Sequence, residues 1–212
     1  MKLAIFDIDG TITHRSSERA FIKYLIRCRA ISYTRLMVTA LRFIVKHPTQ
    51  IRNGFKQNKM YLRGARAEAL RLLAEDCFEK KIKPDIKLKL ASEIRDKRNE
   101  GYSILLLSGS IRFLVEPMAR LLQADHIVCS ETEIVEGAFT GELTSLHPYG
   151  QNKKILAIQF CRDHGFEMST ATAYANEFND RFLLNEVAIP IAVHPDSKLR
   201  TLATKKKWTI LE

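Results

Sequence analysis

The 212-residue sequence has no apolar run long enough to cross a membrane. Its first apolar run stops at Asp7, so no signal peptide is expected. The four cysteines (Cys28, Cys77, Cys129, Cys161) are scattered and form no C-x-x-C pair. They read as reduced packing residues of a cytoplasmic protein rather than a disulfide framework. The six histidines fall in no H-E-x-x-H or similar spacing, so no zinc site is expected. There is no internal repeat and no low-complexity tail. What remains, 46% hydrophobic and 27% charged, is the composition of a soluble globular protein. Its length suits one domain with a sizeable insertion, or two small ones.

Negative charge is also missing from one place. Between Arg19 and Ala67 there is no acidic residue at all. The whole chain carries +10, but residues 14–100 carry +13 and the rest −3. One segment therefore holds the positive field. No aromatic-stacking module or helix–turn–helix signature accompanies it, so nucleic acid is not the expected partner.

The densest chemistry lies at the start. Leu3 to Phe6 reads as a buried parallel strand and is followed at once by Asp7-Ile-Asp9-Gly10-Thr11. Carboxylates at i and i+2 leave a strand on the same side, so Asp7 and Asp9 are expected close together. Two like charges held together call for a cation between them, and a hard divalent ion such as Mg²⁺ suits oxygen ligands. Gly10 permits the sharp turn.

Beyond this strand the apolar spacing turns helical, over about 17–28, 33–45, 50–62 and 67–80. Four helices without an intervening strand suggest a small bundle inserted after the first strand. From Pro84 strands and helices alternate. Strands are expected near 103–107, 127–129, 171–175, 189–193 and 208–211, with a hairpin at 133–135 and 138–143. Helices are expected near 86–100, 111–122, 153–164, 180–186 and 198–206. This alternation predicts an α/β, doubly wound, Rossmann-like parallel sheet with helices on both faces. Right-handed crossovers place the loops after the strands on one edge. That edge would gather Asp7, Asp9, Ser108, Lys153 and the loop Asn176 to Asp180.

In this order, Asp7-x-Asp9-Gly10-Thr11, Ser108-Gly109-Ser110, Lys153 and Asn176 through Asp180 resemble motifs I to IV of the haloacid dehalogenase-like phosphatase superfamily. The hairpin ending Thr140-Gly141-Glu142 and the stretch Ile189 through Trp208 are similar to its phosphoserine-phosphatase-like branch, which carries helices inserted after motif I. The resemblance implies a catalytic core of residues 1–13 and 85–212 and a helical cap of residues 14–84. It implies Asp7 as the nucleophile that becomes an aspartyl-phosphate and Asp9 as general acid and base. Ser108, Gly109, Thr11 and Lys153 would bind phosphate, and Lys153 would also take part in catalysis. Lys154 competes with Lys153, but the distance from Lys153 to Gly165 fits the family pattern better. Mg²⁺ would be held by Asp7, Asp9, Asn176 and Asp180.

Asn176 departs from the family, which usually has Asp there. It keeps one carbonyl oxygen and loses a negative charge, so Mg²⁺ affinity should fall. Two readings follow, an active phosphatase with a weaker metal site or a degenerate member that binds phosphate or membrane without turnover. The expected substrate is a small phosphorylated metabolite or a lipid phosphate. Phosphoserine is less favoured, because Ser16, Ser17 and Glu18 match the family's acidic position only loosely. The basic amphipathic helices of the cap would suit peripheral contact with an anionic membrane.

Overall fold

Alternate residues of a strand face opposite ways, and in β1 (Lys2–Phe6) both sides are apolar. Leu3 and Ile5 are fully buried on one side of the sheet, Ala4 and Phe6 on the other. Such a strand belongs at the centre of a parallel sheet. A computed structural model describes residues 2–31, 34, 37, 38 and 59–212 and places it there. β2 (Tyr102–Ile111), β3 (His126–Ser130), β6 (Thr172–Ala175), β7 (Ile189–Val193) and β8 (Thr209–Leu211) complete a six-stranded sheet in the order β3-β2-β1-β6-β7-β8. Every pairing in it is parallel. β4 (Thr132–Val135) and β5 (Ala138–Leu143) form the separate antiparallel hairpin.

Each face of the sheet has its own core. Ala4, Phe6, Ile104, Leu106 and Tyr174 pack with α3 (Leu88–Asn99) and α4 (Arg112–Leu122). Phe6 and Tyr174 stack across adjacent strands at 4.2 Å. Leu3, Ile5, Leu105, Leu107 and Ala173 pack with α5 (Gln151–His164), α6 (Arg181–Leu184) and α7 (Ser197–Lys206). Each fully buried Leu, Ile or Phe contributes about 1.5–3 kcal/mol. The fold is the expected doubly wound α/β sheet, and β1 is fixed from both sides.

Residues 14–84 leave and return at one point. Thr13 and Ile86 form an antiparallel bridge, His14 N–H donates to the Asp85 carbonyl at 3.1 Å, and Lys87 N–H donates to the Ile12 carbonyl at 2.8 Å. Within the excursion, α1 (Ser17–Arg27) buries Phe21, Tyr24 and Leu25, and α2 (Ala67–Cys77) buries Leu70, Ala74 and Cys77. All six join the first core. The chain before α2 is pinned to the hairpin, since Gly64 N–H donates to the Phe139 carbonyl and Ala67 N–H to the Gly137 carbonyl.

Several boundaries differ from expectation. The helix expected over 33–45 lies outside the described residues apart from 34, 37 and 38. Of the one expected over 50–62, residues 59–62 are described, and Met60–Leu62 form a 3₁₀ turn. α2 ends at Cys77 and passes into a wider helical turn over Phe78–Ile82. β2 runs to Ile111 rather than 107, because a register shift between Leu107 and Ile111 keeps the serines extended beside β3. The expected helix over 180–186 is a 3₁₀ turn at Phe178–Asp180 followed by α6. Among the described residues no helix is long and apolar enough to cross a membrane.

Candidate active site

The carboxyl ends of β1, β2 and β6 and the start of α5 meet at one point. Asp7 follows β1 directly, and its N–H donates to the Tyr174 carbonyl of β6 at 3.0 Å. Its buried carboxylate is held from two sides. Lys153 Nζ donates to Oδ1 at 2.6 Å, and Thr11 Oγ1 donates to Oδ2 at 2.7 Å. Lys153 sits in the first turn of α5 and also pairs with Asp180 Oδ1 at 2.8 Å. Lys154 turns elsewhere and pairs with Glu186 at 2.6 Å.

Two buried carboxylates sharing one ammonium set the local electrostatics. Burial pushes the Asp7 carboxyl up, the Lys153 charge opposes this, and Asp180 adds to the rise. Burial alone would lower the Lys153 pKa, but Asp180 and Asp7 outweigh it and hold the ammonium charged.

Asp9 behaves differently from the i, i+2 expectation. Past Phe6 the chain is no longer a strand, since Gly10 has φ +88° and closes a tight turn over Ile8–Ile12. The Asp9 side chain swings toward the start of α1. Oδ1 accepts from Ser17 N–H and Ser17 Oγ, both at 2.6 Å, while Ser110 Oγ donates to Oδ2 at 2.8 Å. A carboxylate at a helix N-terminus is favourably placed. The Asp9 main-chain carbonyl, by contrast, faces Asn176.

Asn176 follows β6, and the end of its amide lies 3.0 Å from Thr11 Oγ1 and 3.2 Å from both Asp7 Oδ2 and the Asp9 carbonyl oxygen. With its oxygen inward, it faces two acceptors and Thr11 Oγ1, whose single proton is shared between it and the nearer Asp7 Oδ2. With its NH₂ inward, it donates to all three. A cation among these oxygens would favour the first orientation. The 3.2 Å from the Asn176 amide to Asp7 Oδ2 and to the Asp9 carbonyl is also close to the spacing of neighbouring ligands around an octahedral ion with metal–oxygen distances of about 2.1 Å. Asp7, the Asp9 carbonyl and Asn176 therefore fit Mg²⁺, with one formal carboxylate charge among the three.

The other expected residues are nearby in different bonding. Ser108 is fully buried, with its Oγ accepting from Ser110 N–H at 3.0 Å and lying 3.5 Å from Asp9 Oδ2. Gly109 offers its carbonyl to Lys59 Nζ at 3.0 Å and to Ser130 Oγ at 2.7 Å. Asp180 is given to Lys153 rather than to the cluster around Asn176.

Four residues at the site, Lys87, Lys59, Tyr61 and His147, had no signal in the sequence reading. Lys87 Nζ donates to the Gly10 carbonyl at 2.5 Å and braces the turn. Ser17 and Ser110 hold Asp9. Lys59 is fully buried, with Nζ 2.5 Å and 2.7 Å from the two Glu18 oxygens, and Tyr61 donates to Glu18 at 2.9 Å. His147 completes the wall. Ser130 has one hydroxyl proton; with that proton given to Gly109, His147 Nδ1 at 2.8 Å is the donor and Nε2 is left as an acceptor. Burial, then Lys59 and Lys153, push the His147 pKa down to about 3. His147 shares with Asp7, Asp9 and Glu18 a cavity of about 350 Å³. Ser17 and Glu18 had been weighed for their position after the first motif, and Ser110 as part of the second.

With this geometry in hand, comparison with known proteins places the chain. A model of haloacid dehalogenase-like hydrolases matches residues 4–185, and the chain belongs to that family. It is a hydrolase, and its similarities fall in the phosphoserine-phosphatase-like branch. It is 28% identical over 215 residues to the inhibition of morphological differentiation protein of Streptomyces azureus, covering 99% of this chain and 77% of that one. It is 24% identical over 213 residues to a phosphoserine phosphatase of Mycobacterium tuberculosis, covering 98% and 69%. In fold it resembles a protein of unknown function from Bordetella pertussis, with TM-score 0.87 at 20% identity over 100% of this chain and 98% of that one.

Proposed function

We propose that the protein is a Mg²⁺-dependent phosphomonoesterase, with Asp7 as nucleophile and Asp9 as general acid and base. It works from a core of residues 1–13 and 85–212 beneath a helical cap of residues 14–84. The observation that carries the reading is the buried Lys153 ammonium between Asp7 and Asp180, within a cavity that also reaches Asp9. A fixed cation beside a carboxylate suits attack on a phosphate monoester, where two negative partners must approach. The phosphatase name of a relative over nearly the whole chain supports the same class.

In the first half-reaction an Asp7 oxygen bonds to phosphorus in line as the bond to the leaving oxygen breaks. Asp9 gives that oxygen its proton, from a position fixed by Ser17 and Ser110. In the second half, water attacks phosphorus and Asp9 takes its proton. Inorganic phosphate leaves and the Asp7 carboxylate is restored. Lys153, Ser108 and the backbone around Gly109 and Thr11 hold phosphoryl oxygens. Asp7, the Asp9 carbonyl and Asn176 would hold Mg²⁺, whose positive charge would offset that of the phosphoryl oxygens, and Asp180 would bear on the site through Lys153. The substrate is a small phosphorylated metabolite or a lipid phosphate, met in the cytoplasm or at an anionic membrane surface.

A second reading, a non-catalytic phosphate- or membrane-binding protein, draws on the Asn176 amide, which can satisfy Asp7 and Asp9 without a cation. Hydrolysis of p-nitrophenyl phosphate across a Mg²⁺ titration separates the two. Turnover by wild type that disappears in Asp7→Asn is the expected result. Turnover that appears only in Asn176→Asp would assign the natural protein to binding.

A further inference from the structure

A second cavity, of about 680 Å³, runs along α1 and shares Asp9, Arg19 and Glu177 with the smaller one over Asp7. Its α1 wall carries Arg19, Lys23 and Arg27, spaced i, i+4, i+8 on one exposed stripe about 12 Å long. Lys81 faces them from across the groove. None of these four has an acidic partner among the described residues, whereas neighbouring Arg15 is neutralised by Asp85 at 2.8 Å. A solvated helix face needs no groove in front of it. This one opens at its inner end onto the reacting carboxylates.

The inner cavity has the opposite bias against cations. Three of its carboxylates are already engaged by ammonium groups, Asp7 and Asp180 by Lys153 and Glu18 by the buried Lys59; Asp9 is taken up by Ser17 and Ser110, and Glu177 lines both cavities. A substrate ammonium group that enters this cavity meets Lys59 at the place where a free Glu18 would have paired with it. Burying a second cation there without a counter-charge is costly.

Resting on the phosphomonoesterase reading, we propose that the α1 groove binds the non-reacting end of the substrate. That end is anionic, a second phosphate or a carboxylate within reach of Arg19, Lys23 and Arg27. Lys59, by occupying Glu18, excludes esters that carry an ammonium group. The specificity of the enzyme is thus for bis-anionic phosphate esters.

The test is a matched series on one six-carbon chain: hexyl phosphate, 6-aminohexyl phosphate and hexane-1,6-diol bisphosphate, assayed with wild type and saturating Mg²⁺. The expected order of kcat/KM is bisphosphate, hexyl, aminohexyl. The first gap should be about tenfold at low salt, well above the factor of two from having two reactive ends, and should shrink as ionic strength rises. In the Lys23→Ala, Arg27→Ala double variant, both changes being on exposed positions, the bisphosphate-to-hexyl ratio should fall to about two, through KM. Lys59→Met should raise the aminohexyl-to-hexyl ratio, and Glu18→Gln in the same background should lower it again.

An unchanged bisphosphate KM in the double variant would overturn the groove assignment. If wild type hydrolyses none of the three esters, it is the phosphatase reading that fails. Calorimetry then still decides the groove, because binding needs no turnover. Bisphosphate binding tighter than hexyl phosphate and lost in the double variant supports it, and equal affinities overturn it. Phosphatidylglycerol vesicles distinguish the source of the anion. Vesicles that compete with the bisphosphate assign a lipid headgroup to the groove, and vesicles without effect assign a soluble ester.

Discussion

Asn176 exchanges a charge for a hydrogen-bonding group that can face either way. An Asp there would add a second carboxylate to the Asp7 oxygens and favour the cation directly. It would also stand beside Asp7 with nothing between them when the cation is absent, and like charges at that range repel. Asn176→Asp is therefore expected to lower the Mg²⁺ concentration for half-maximal activity by about tenfold, one charge's worth near a partly buried ion. It should also make thermal stability depend more steeply on Mg²⁺ than it does in wild type. Melting temperature with Mg²⁺ and with a chelator, for both proteins, reads this without any assay of turnover. A wild-type melting point that drops in chelator as far as the variant's would mean the amide does not substitute for the ion. Lys153 gives the complementary case. Lys153→Met leaves Asp7 and Asp180 buried without a counter-charge, so about 3 kcal/mol of stability should be lost in denaturant unfolding and turnover should vanish.

At the level of elements, the site depends on how strand ends are tied down. The loop after β6 is anchored by Asp196, the N-cap of α7. One oxygen accepts from Leu199 N–H at 2.8 Å within the helix, and the other accepts from Phe178 N–H at 2.8 Å in the loop. Asp196→Ala should cost about 1–2 kcal/mol in chemical denaturation, the usual range for a lost cap. It should also raise the Mg²⁺ concentration for half-maximal activity, because Asn176 and Asp180 lie on the freed segment; an unaltered Mg²⁺ response would show that the cap serves α7 alone. The strands, their order of appearance and the motif residues were legible because each follows from a short pattern: an apolar run, a polar residue after it, then helical spacing. The same patterns could not place Lys59 beside Glu18, 41 residues away, or Ser110 beside Asp9, 101 residues away. Those contacts arise only when β1, β2 and α1 converge. The i, i+2 argument brought Asp7 and Asp9 together for a reason that does not hold, since Gly10 turns the chain at that point and it is the Asp9 carbonyl, not its carboxylate, that faces Asn176.

Across the whole molecule, the excursion 14–84 and the sheet meet over His147. Its ring lies against Gly109 at the end of β2 and bonds Ser130 at the end of β3. The nearby ammonium groups of Lys59 and Lys153 join burial in disfavouring its charged form, so folding is coupled to its neutrality. The sign follows from linkage. With a folded pKa of about 3 and an unfolded value near 6.5, both states are neutral above pH 6.5 and the contribution is complete there. Below that pH the unfolded chain takes up a proton that the folded chain refuses. Stability is then lost at up to about 1.4 kcal/mol per pH unit until the folded pKa is reached. Burial pushes the Asp7 carboxyl up to about 7, so Asp7 takes up its proton in the same range with the opposite sign, and the histidine's contribution is the difference in slope between wild type and a variant that lacks it. His147→Gln keeps a hydrogen-bonding side chain that does not titrate. Unfolding free energies from urea titrations at pH 7.5, 6.5, 5.75 and 5 should fall with acidity in wild type relative to the variant, by up to about 1.4 kcal/mol per pH unit below 6.5. Parallel slopes in the two proteins would place the acid sensitivity elsewhere and leave His147 a packing residue. The expected difference in slope would instead show that one neutral ring, wedged between two ammonium groups, sets the acid limit of the assembled site.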